Sequence, residues 1–215
     1  MASGAAAAAE LSQNAFFYLY ELVGTSVIFG IAGFLVGRRA DRLRSGRDRY
    51  RELSERDSLT GLVNARTFLG RYRRALAHAA RFHEPLSLLI VDVDRLKALN
   101  DEFGHAFGSA ALLRVAGALS DSKREDDMAA RWGGDEFALL MPGADGVAAR
   151  RQAEAILERL RAAPVVHGDG SRQVSVTIGV ATSGVGRGDE DLFGRADRAL
   201  YEGKKSGRGQ VRESP

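Results

Sequence analysis

The chain has 215 residues, 45% hydrophobic and 27% charged, with no cysteine and a formal net charge of +3. That length suits one ordinary globular domain with appendages, and the composition excludes disulfide scaffolds, thiolate chemistry and a wholly disordered chain. The basic excess is confined to residues 38–56, where eight arginines meet Asp41, Asp48, Glu52 and Glu55 for a net of +4, against −2 before and about +1 after; a short basic segment beside an apolar run points to a membrane surface and away from nucleic acid.

Residues 1–14 contain an alanine run, Ala5 to Ala9, and read as a tail. Residues 15–37 (AFFYLYELVGTSVIFGIAGFLVG) hold one ionisable group, Glu21, in 23 positions. At about 1.5 Å per residue a helix of that length crosses a hydrocarbon core of about 30 Å. Phe16, Phe17, Tyr18 and Tyr20 form an interfacial belt, no basic stretch marks a signal peptide, and Arg38, Arg39, Arg42 and Arg44 put the C-terminal side in the cytoplasm. The expectation is a single-pass protein of a bacterial inner membrane. Residues 38–56 predict a juxtamembrane helical linker, either a short coiled coil with Leu43, Gly46, Tyr50, Leu53 and Asp57 on an a/d-like spacing or a solvated helix. Beyond it, hydrophobic periodicity predicts a helix over 64–83, a strand over 86–93 buried on both faces, and a helix over 106–119. Short strands over 128–132 and 137–141 flank a Gly133-Gly134 turn, followed by a helix over 144–161, a strand over 174–182 and a helix over 189–206. The order α-β-α-β-β-α-β-α predicts an α+β domain, a sheet layered with helices, over residues 57–212.

Two acidic clusters carry chemical promise. Asp92-Val93-Asp94 closes the buried strand, where alternation aims both aspartates at one face, and Asp135-Glu136 follows the Gly-Gly turn. Hard divalent cations take one or two carboxylates and leave the remaining positions to phosphate and water, and strand-end acids brought together in a sheet suit phosphoryl transfer. Lys97, Lys204 and Arg208 are the cations that would face phosphate. Each of these residues, taken singly, also reads as an ordinary surface charge or turn acid.

Arg131-Trp132-Gly133-Gly134-Asp135-Glu136-Phe137 resembles the signature hairpin of the GGDEF diguanylate cyclases. The rest of the family pattern follows in order: Asp57-Ser58-Leu59-Thr60-Gly61-Leu62-Val63-Asn64, Asp92 to Lys97, Asn100-Asp101 with Gly104-His105, and Tyr201-Glu202-Gly203-Lys204 with Gly207-Arg208. The resemblance implies a palm-like βαββαβ (ferredoxin-like) fold and an enzyme that condenses two purine nucleoside triphosphates. By matching position, Asp92, Asp135 and Glu136 are implied metal ligands for two Mg²⁺ or Mn²⁺ ions per site, with Asp135 or Glu136 deprotonating the attacking 3′-hydroxyl. Lys97, Lys204, Arg208 and backbone N–H groups near Arg95 and Leu96 are implied phosphate contacts, and Asn100, His105 and position 109 line the purine site. Arg124 and Asp127 match the family's RxxD product-inhibition motif, for which a loop ion pair is the plainer reading. The resemblance also implies a homodimer, because two triphosphates need two domains face to face.

The sequence departs from the pattern at four places. Leu96, Ala65 and Gly203 replace the usual Phe, Arg and Ala and read as packing changes, whereas Ser109 stands where the family carries a guanine-binding Asp. A hydroxyl donates and accepts, so it suits either purine. That resembles the hybrid branch of the family and leads to the expectation that GTP and ATP are both substrates, giving cyclic AMP-GMP and cyclic di-GMP. The alternatives are a strict GTP-specific cyclase and an inactive nucleotide-binding receptor.

Overall fold

The structure, a computed structural model, describes residues 54–168, 170–184 and 191–214. The proposed span at 15–37 and nearly all of the linker at 38–56 lie outside the described residues; among the described residues no helix is long and apolar enough to cross a membrane. In chain order the elements are β1 (Val63–Asn64), α1 (Ala65–Phe82), β2 (Leu86–Val93), α2 (Leu96–Phe103), α3 (His105–Ser122), β3 (Met128–Arg131), β4 (Glu136–Pro142), α4 (Gly146–Arg161), β5 (Val165–His167), β6 (Gly170–Arg172), β7 (Val176–Thr182), α5 (Leu192–Lys205) and β8 (Val211–Glu213).

Six strands form one sheet in the order β1-β3-β4-β2-β7-β8, with β5 and β6 as a separate hairpin. The four central strands run antiparallel to one another, and β1 and β8 add at the edges, parallel to β3 and β7. Taken along the chain, β2-(α2,α3)-β3-β4-α4-β7 is the βαββαβ core that the family resemblance implies. All eight residues of β2 are buried, as its unbroken LSLLIVDV run requires for a central strand.

The period of two along the strands divides the interior. Leu89, Val91, Val93, Phe137, Leu139 and Met141 face α3 and α4. Leu86, Leu88, Ile90, Ala138 and Leu140 face α1 and α5. Side-chain caps fix two helix starts: Asn64 Oδ1 accepts from the Thr67 N–H at 2.9 Å, and Asp145 Oδ1 from the Ala148 N–H at 2.8 Å. Helix α5 lies directly on β7 because residue 179 is glycine. A Cβ there would stand 2.1 Å from the Ala196 carbonyl oxygen and 2.4 Å from the Leu200 nitrogen. That close approach sets the position of everything α5 carries.

Candidate active site

The chemistry gathers at one end of the sheet. Antiparallel pairing puts the C-terminal end of β2 beside the N-terminal end of β4, so Asp92 and Glu136 are partners across the ladder and share the face that looks toward α5. The 132–136 hairpin is closed by Trp132 and Gly133 N–H groups donating to the Glu136 carbonyl at 2.8 and 3.1 Å, and the Val93 N–H donates to the Asp135 carbonyl at 3.1 Å. From α5, Lys204 Nζ reaches Asp92 Oδ2 at 2.8 Å. Asp92 is only 7% exposed. Burial pushes its carboxyl above the usual carboxylate range; the Lys204 ammonium opposes this, and the negative charges of Asp135 and Glu136 add to it.

Asp94 turns to the same face but is fully spent. Its Oδ1 accepts from the Thr177 hydroxyl at 2.7 Å, and its Oδ2 from the Ser175 hydroxyl at 2.7 Å and the Gly209 N–H at 3.0 Å. The carboxylate thus ties the end of β2 to β7 and to the loop that bears Arg208. Arg95, next to Asp94, and Arg208, next to its partner Gly209, both adopt the left-handed region, at φ 57° and 60°. Non-glycine residues there cost roughly 1–2 kcal/mol each, so Asp94 holds two strained corners in place.

Two neighbouring clefts open above the strand ends. One, of about 500 Å³, is lined by Lys97, Asn100, His105 and Ser109 together with Leu96 and Asp135. The other, of about 450 Å³, includes Asp94, Arg95 and Arg208. Asp92, Glu136 and Lys204 belong to neither lining. Helix α2 begins with no side-chain cap, so its first N–H groups, around Leu96 and Lys97, are open to an anion. The predicted purine residues Asn100, His105 and Ser109 therefore share one cleft with Leu96 and Lys97, while Arg95 and Arg208 share the other.

Among the described residues no three carboxylate or histidine side chains close into a metal cage. Magnesium does not need one: one or two carboxylates with phosphate oxygens and water complete its shell. Asp92, Asp135 and Glu136 are hard oxygen donors whose mutual repulsion a cation would relieve, so the donor set fits such an ion.

Arg131, the first residue of the signature hairpin, organises the turn. Its guanidinium donates to the carbonyls of Gly133 (3.2 Å) and Gly134 (2.6 Å) and to Asp57 Oδ1 (3.2 Å). Asp57 Oδ1 also accepts from the Thr60 N–H at 2.9 Å and its hydroxyl at 2.8 Å. Burial raises the Asp57 carboxyl, but these donors outweigh it and hold it below its ordinary value. Asp57 and Arg131 lie 74 positions apart, which no local period can connect. Gly179 did carry a sequence signal, a lone glycine inside a strand pattern, which marks close backbone approach. Gly203 is likewise buried, and a Cβ there would meet Thr177 Cγ2 at 2.7 Å, so that departure is matched by its neighbour.

The RxxD residues sit at the opposite end of β3 from the turn. Asp127 is buried and its Oδ2 accepts from the Arg124 backbone N–H at 2.8 Å. The pair is thus a side-chain-to-backbone turn, with the Arg124 side chain exposed, rather than a loop ion pair. Asp127 lines a third cleft, of about 500 Å³, against β1 and α1.

Residues 54–210 match the family described as "Diguanylate cyclase, GGDEF domain". The chain is 42% identical over 159 residues to diguanylate cyclase TpbB of Pseudomonas aeruginosa, covering 73% of this chain and 36% of that protein. It is 38% identical over 177 residues to response regulator PleD of Caulobacter vibrioides, covering 81% of this chain and 39% of that protein. It therefore spans little more than a third of the length of these relatives. Among solved structures, the GGDEF domain of TpbB aligns with a TM-score of 0.69 at 39% identity, over 74% of this chain and 94% of that one. The GGDEF domain of DgcB from Caulobacter crescentus, in complex with c-di-GMP, aligns with a TM-score of 0.71 at 28% identity, over 74% of this chain and 95% of that one.

Proposed function

Because the chain belongs to the GGDEF family of diguanylate cyclase domains, we propose that it condenses two purine nucleoside triphosphates into a 3′,5′-cyclic dinucleotide, releasing two pyrophosphates. The observation that carries this reading is the cross-strand pair Asp92–Glu136 capped by Lys204, set beside a cleft with base-sized room and amide and hydroxyl groups. In each half-reaction the 3′-oxygen of one nucleotide bonds to the α-phosphorus of the other, and the bond from that phosphorus to the departing pyrophosphate breaks. Asp135 or Glu136 takes the proton of the 3′-hydroxyl. Lys204 and Arg208 neutralise the charge that builds on pyrophosphate, while Lys97 and the uncapped N–H groups at the start of α2 orient the phosphates. Asp92 with Asp135 and Glu136 would hold divalent cations, Mg²⁺ or Mn²⁺, two per site, which supply charge neutralisation and polarise the phosphates when bound.

Asn100 and Ser109 read the purine, with His105 at the rim. Guanine offers N1–H and a 2-amino group as donors, and adenine offers a bare N1 acceptor; a serine hydroxyl serves both. The substrates are accordingly GTP and ATP, and the products cyclic AMP-GMP and cyclic di-GMP, made by a homodimer joined through the cyclase domain and linker. Residues 15–37 anchor the protein in the bacterial inner membrane with the catalytic domain in the cytoplasm. The test is incubation of wild type and Ser109→Asp with equal GTP and ATP, products being separated by mass. Since a hydrogen bond to a charged partner is worth about 1.5–3 kcal/mol, the carboxylate should raise guanine preference by roughly 10- to 150-fold. A wild type that makes only cyclic di-GMP from the mixture would reduce Ser109 to a tolerated substitution.

A further inference from the structure

We propose that Gly108 is a positioning residue for purine recognition: the space left by its missing side chain seats the Asn100 carboxamide. A Cβ at position 108 would stand 1.8 Å from Asn100 Oδ1, 2.8 Å from Cγ and 3.3 Å from Nδ2. The carboxamide of α2 therefore occupies the volume that any larger residue of α3 would fill. The two helices cannot separate to make room. The Gly104 N–H between them donates to the Asn100 carbonyl at 2.8 Å, and the Phe103 and Phe107 rings lie 4.8 Å apart across the joint. With backbone and hinge fixed, the freedom left to Asn100 is its side-chain rotamer, and Gly108 leaves open the one seen here, which a Cβ would exclude. Asn100, Gly108 and Ser109 all line the same cleft, so the rotamer of the amide bears on the space that Ser109 also borders. A carboxamide has donors and an acceptor; where its preferred rotamer is already open it meets the purine without rearrangement, whereas displaced by a Cβ it must pay to return or read the base from another rotamer.

The inference rests on the reading of Asn100 as a purine contact, and the two are separable by experiment. Because the atoms that a Cβ would meet are the far end of a side chain, Gly108→Ala should displace the amide and leave the backbone alone. Alanine also favours the helical state over glycine, so the variant should melt at or above the wild-type temperature. The full 215-residue chain, with Mg²⁺, is titrated with a GTP analogue carrying a methylene α–β bridge and, separately, with inorganic triphosphate. Gly108→Ala and Asn100→Ala should each weaken the GTP analogue by about fivefold to tenfold. Neither should change the affinity for triphosphate, and the double variant should bind no more weakly than either single one. Wild-type affinity in Gly108→Ala, a loss that adds fully in the Asn100→Ala background, or a fall in triphosphate affinity together with melting temperature would each overturn the role of Gly108. If instead Asn100→Ala binds the analogue as wild type does, the purine contact itself is refuted and the premise is gone.

Discussion

Asp92 serves two opposed demands with one carboxylate. Catalysis under the proposed mechanism needs it ionised, to hold a cation and pair with Lys204, yet burial and its acidic neighbours favour the protonated form. A carboxyl whose pKa is raised by folding binds its proton more tightly in the folded state, so its contribution to stability grows as pH falls through the raised value and shrinks as pH rises. Activity runs the other way. Turnover should therefore decline on acidification from above the ordinary carboxylate range, before Asp92 costs the fold anything; kcat and melting temperature followed together over that range check the divergence. At neutral pH, Asp92→Asn should lower kcat by at least about 100-fold. Its melting temperature should stay close to wild type, because relief of desolvation offsets the lost ion pair. Near-normal turnover in this variant would remove Asp92 from the metal set. Asp57 has the reverse sign. Its carboxyl is held low, so its contribution is complete above the ordinary carboxylate pKa and disappears only in stronger acid.

The elements show how much was legible and how much was not. Strand β2 could be read to the residue because eight successive apolar or strand-compatible positions ending in Asp92-Val93 allow little else. Helices α1 and α4 match their hydrophobic periodicity to within one or two residues; the structure begins them after the caps Asn64 and Asp145. What escaped were pieces too short for a period to establish itself: β1, β5, β6 and β8, of two or three residues each, and the eight-residue α2. The edge strands exist because β3 and β7 offer them partners, a property of the sheet and not of their own residues. Of the site, the acids and cations were legible by residue type, but their organisers were not: the Asp94 tie and the Asp57–Arg131 clamp join residues 81 to 115 and 74 positions apart. The docking of α5 on β7 gives an element-level prediction. Gly179→Ala would drive a methyl into backbone atoms at 2.1 and 2.4 Å, and overpacking of this kind costs typically 1–3 kcal/mol. Urea unfolding should show that loss, accompanied by reduced turnover, since α5 carries Lys204. A variant as stable and active as wild type would mean that α5 does not depend on this contact.

For the whole molecule, the proposed chemistry needs two copies. One domain presents one set of phosphate and purine contacts, so specific activity of the domain freed from residues 1–53 should climb with protein concentration and level off once dimers dominate. If residues 15–37 anchor the chain as proposed, the anchor would raise the effective concentration of the second copy, and the full chain should show the weaker dependence. Product control belongs at this scale too. Arg124 and Asp127 precede Met128, while the acidic turn follows Arg131, and the four residues of β3 separate the two ends by about 13 Å at 3.3 Å per residue. A dinucleotide held at Arg124 would thus lower Vmax without competing for the triphosphate site. Arg124→Ala should relieve that inhibition and leave the initial rate unchanged; persistent inhibition would show the motif to be inert here.

The antiparallel sheet also has a far end. The start of β2 and the end of β4 meet there, with Leu86 opposite Pro142, and the turn at His83 and Glu84 lies on the surface beyond them. Residues of the acidic turn, the two clefts bearing Asn100 and Arg208, and the Asp94 tie all lie at the other end, so a lengthened turn at His83 would leave every one of them in register. The fold thereby has a region where insertions can be tried at little risk to the chemistry, and lineages that share the site are free to diverge in length there first.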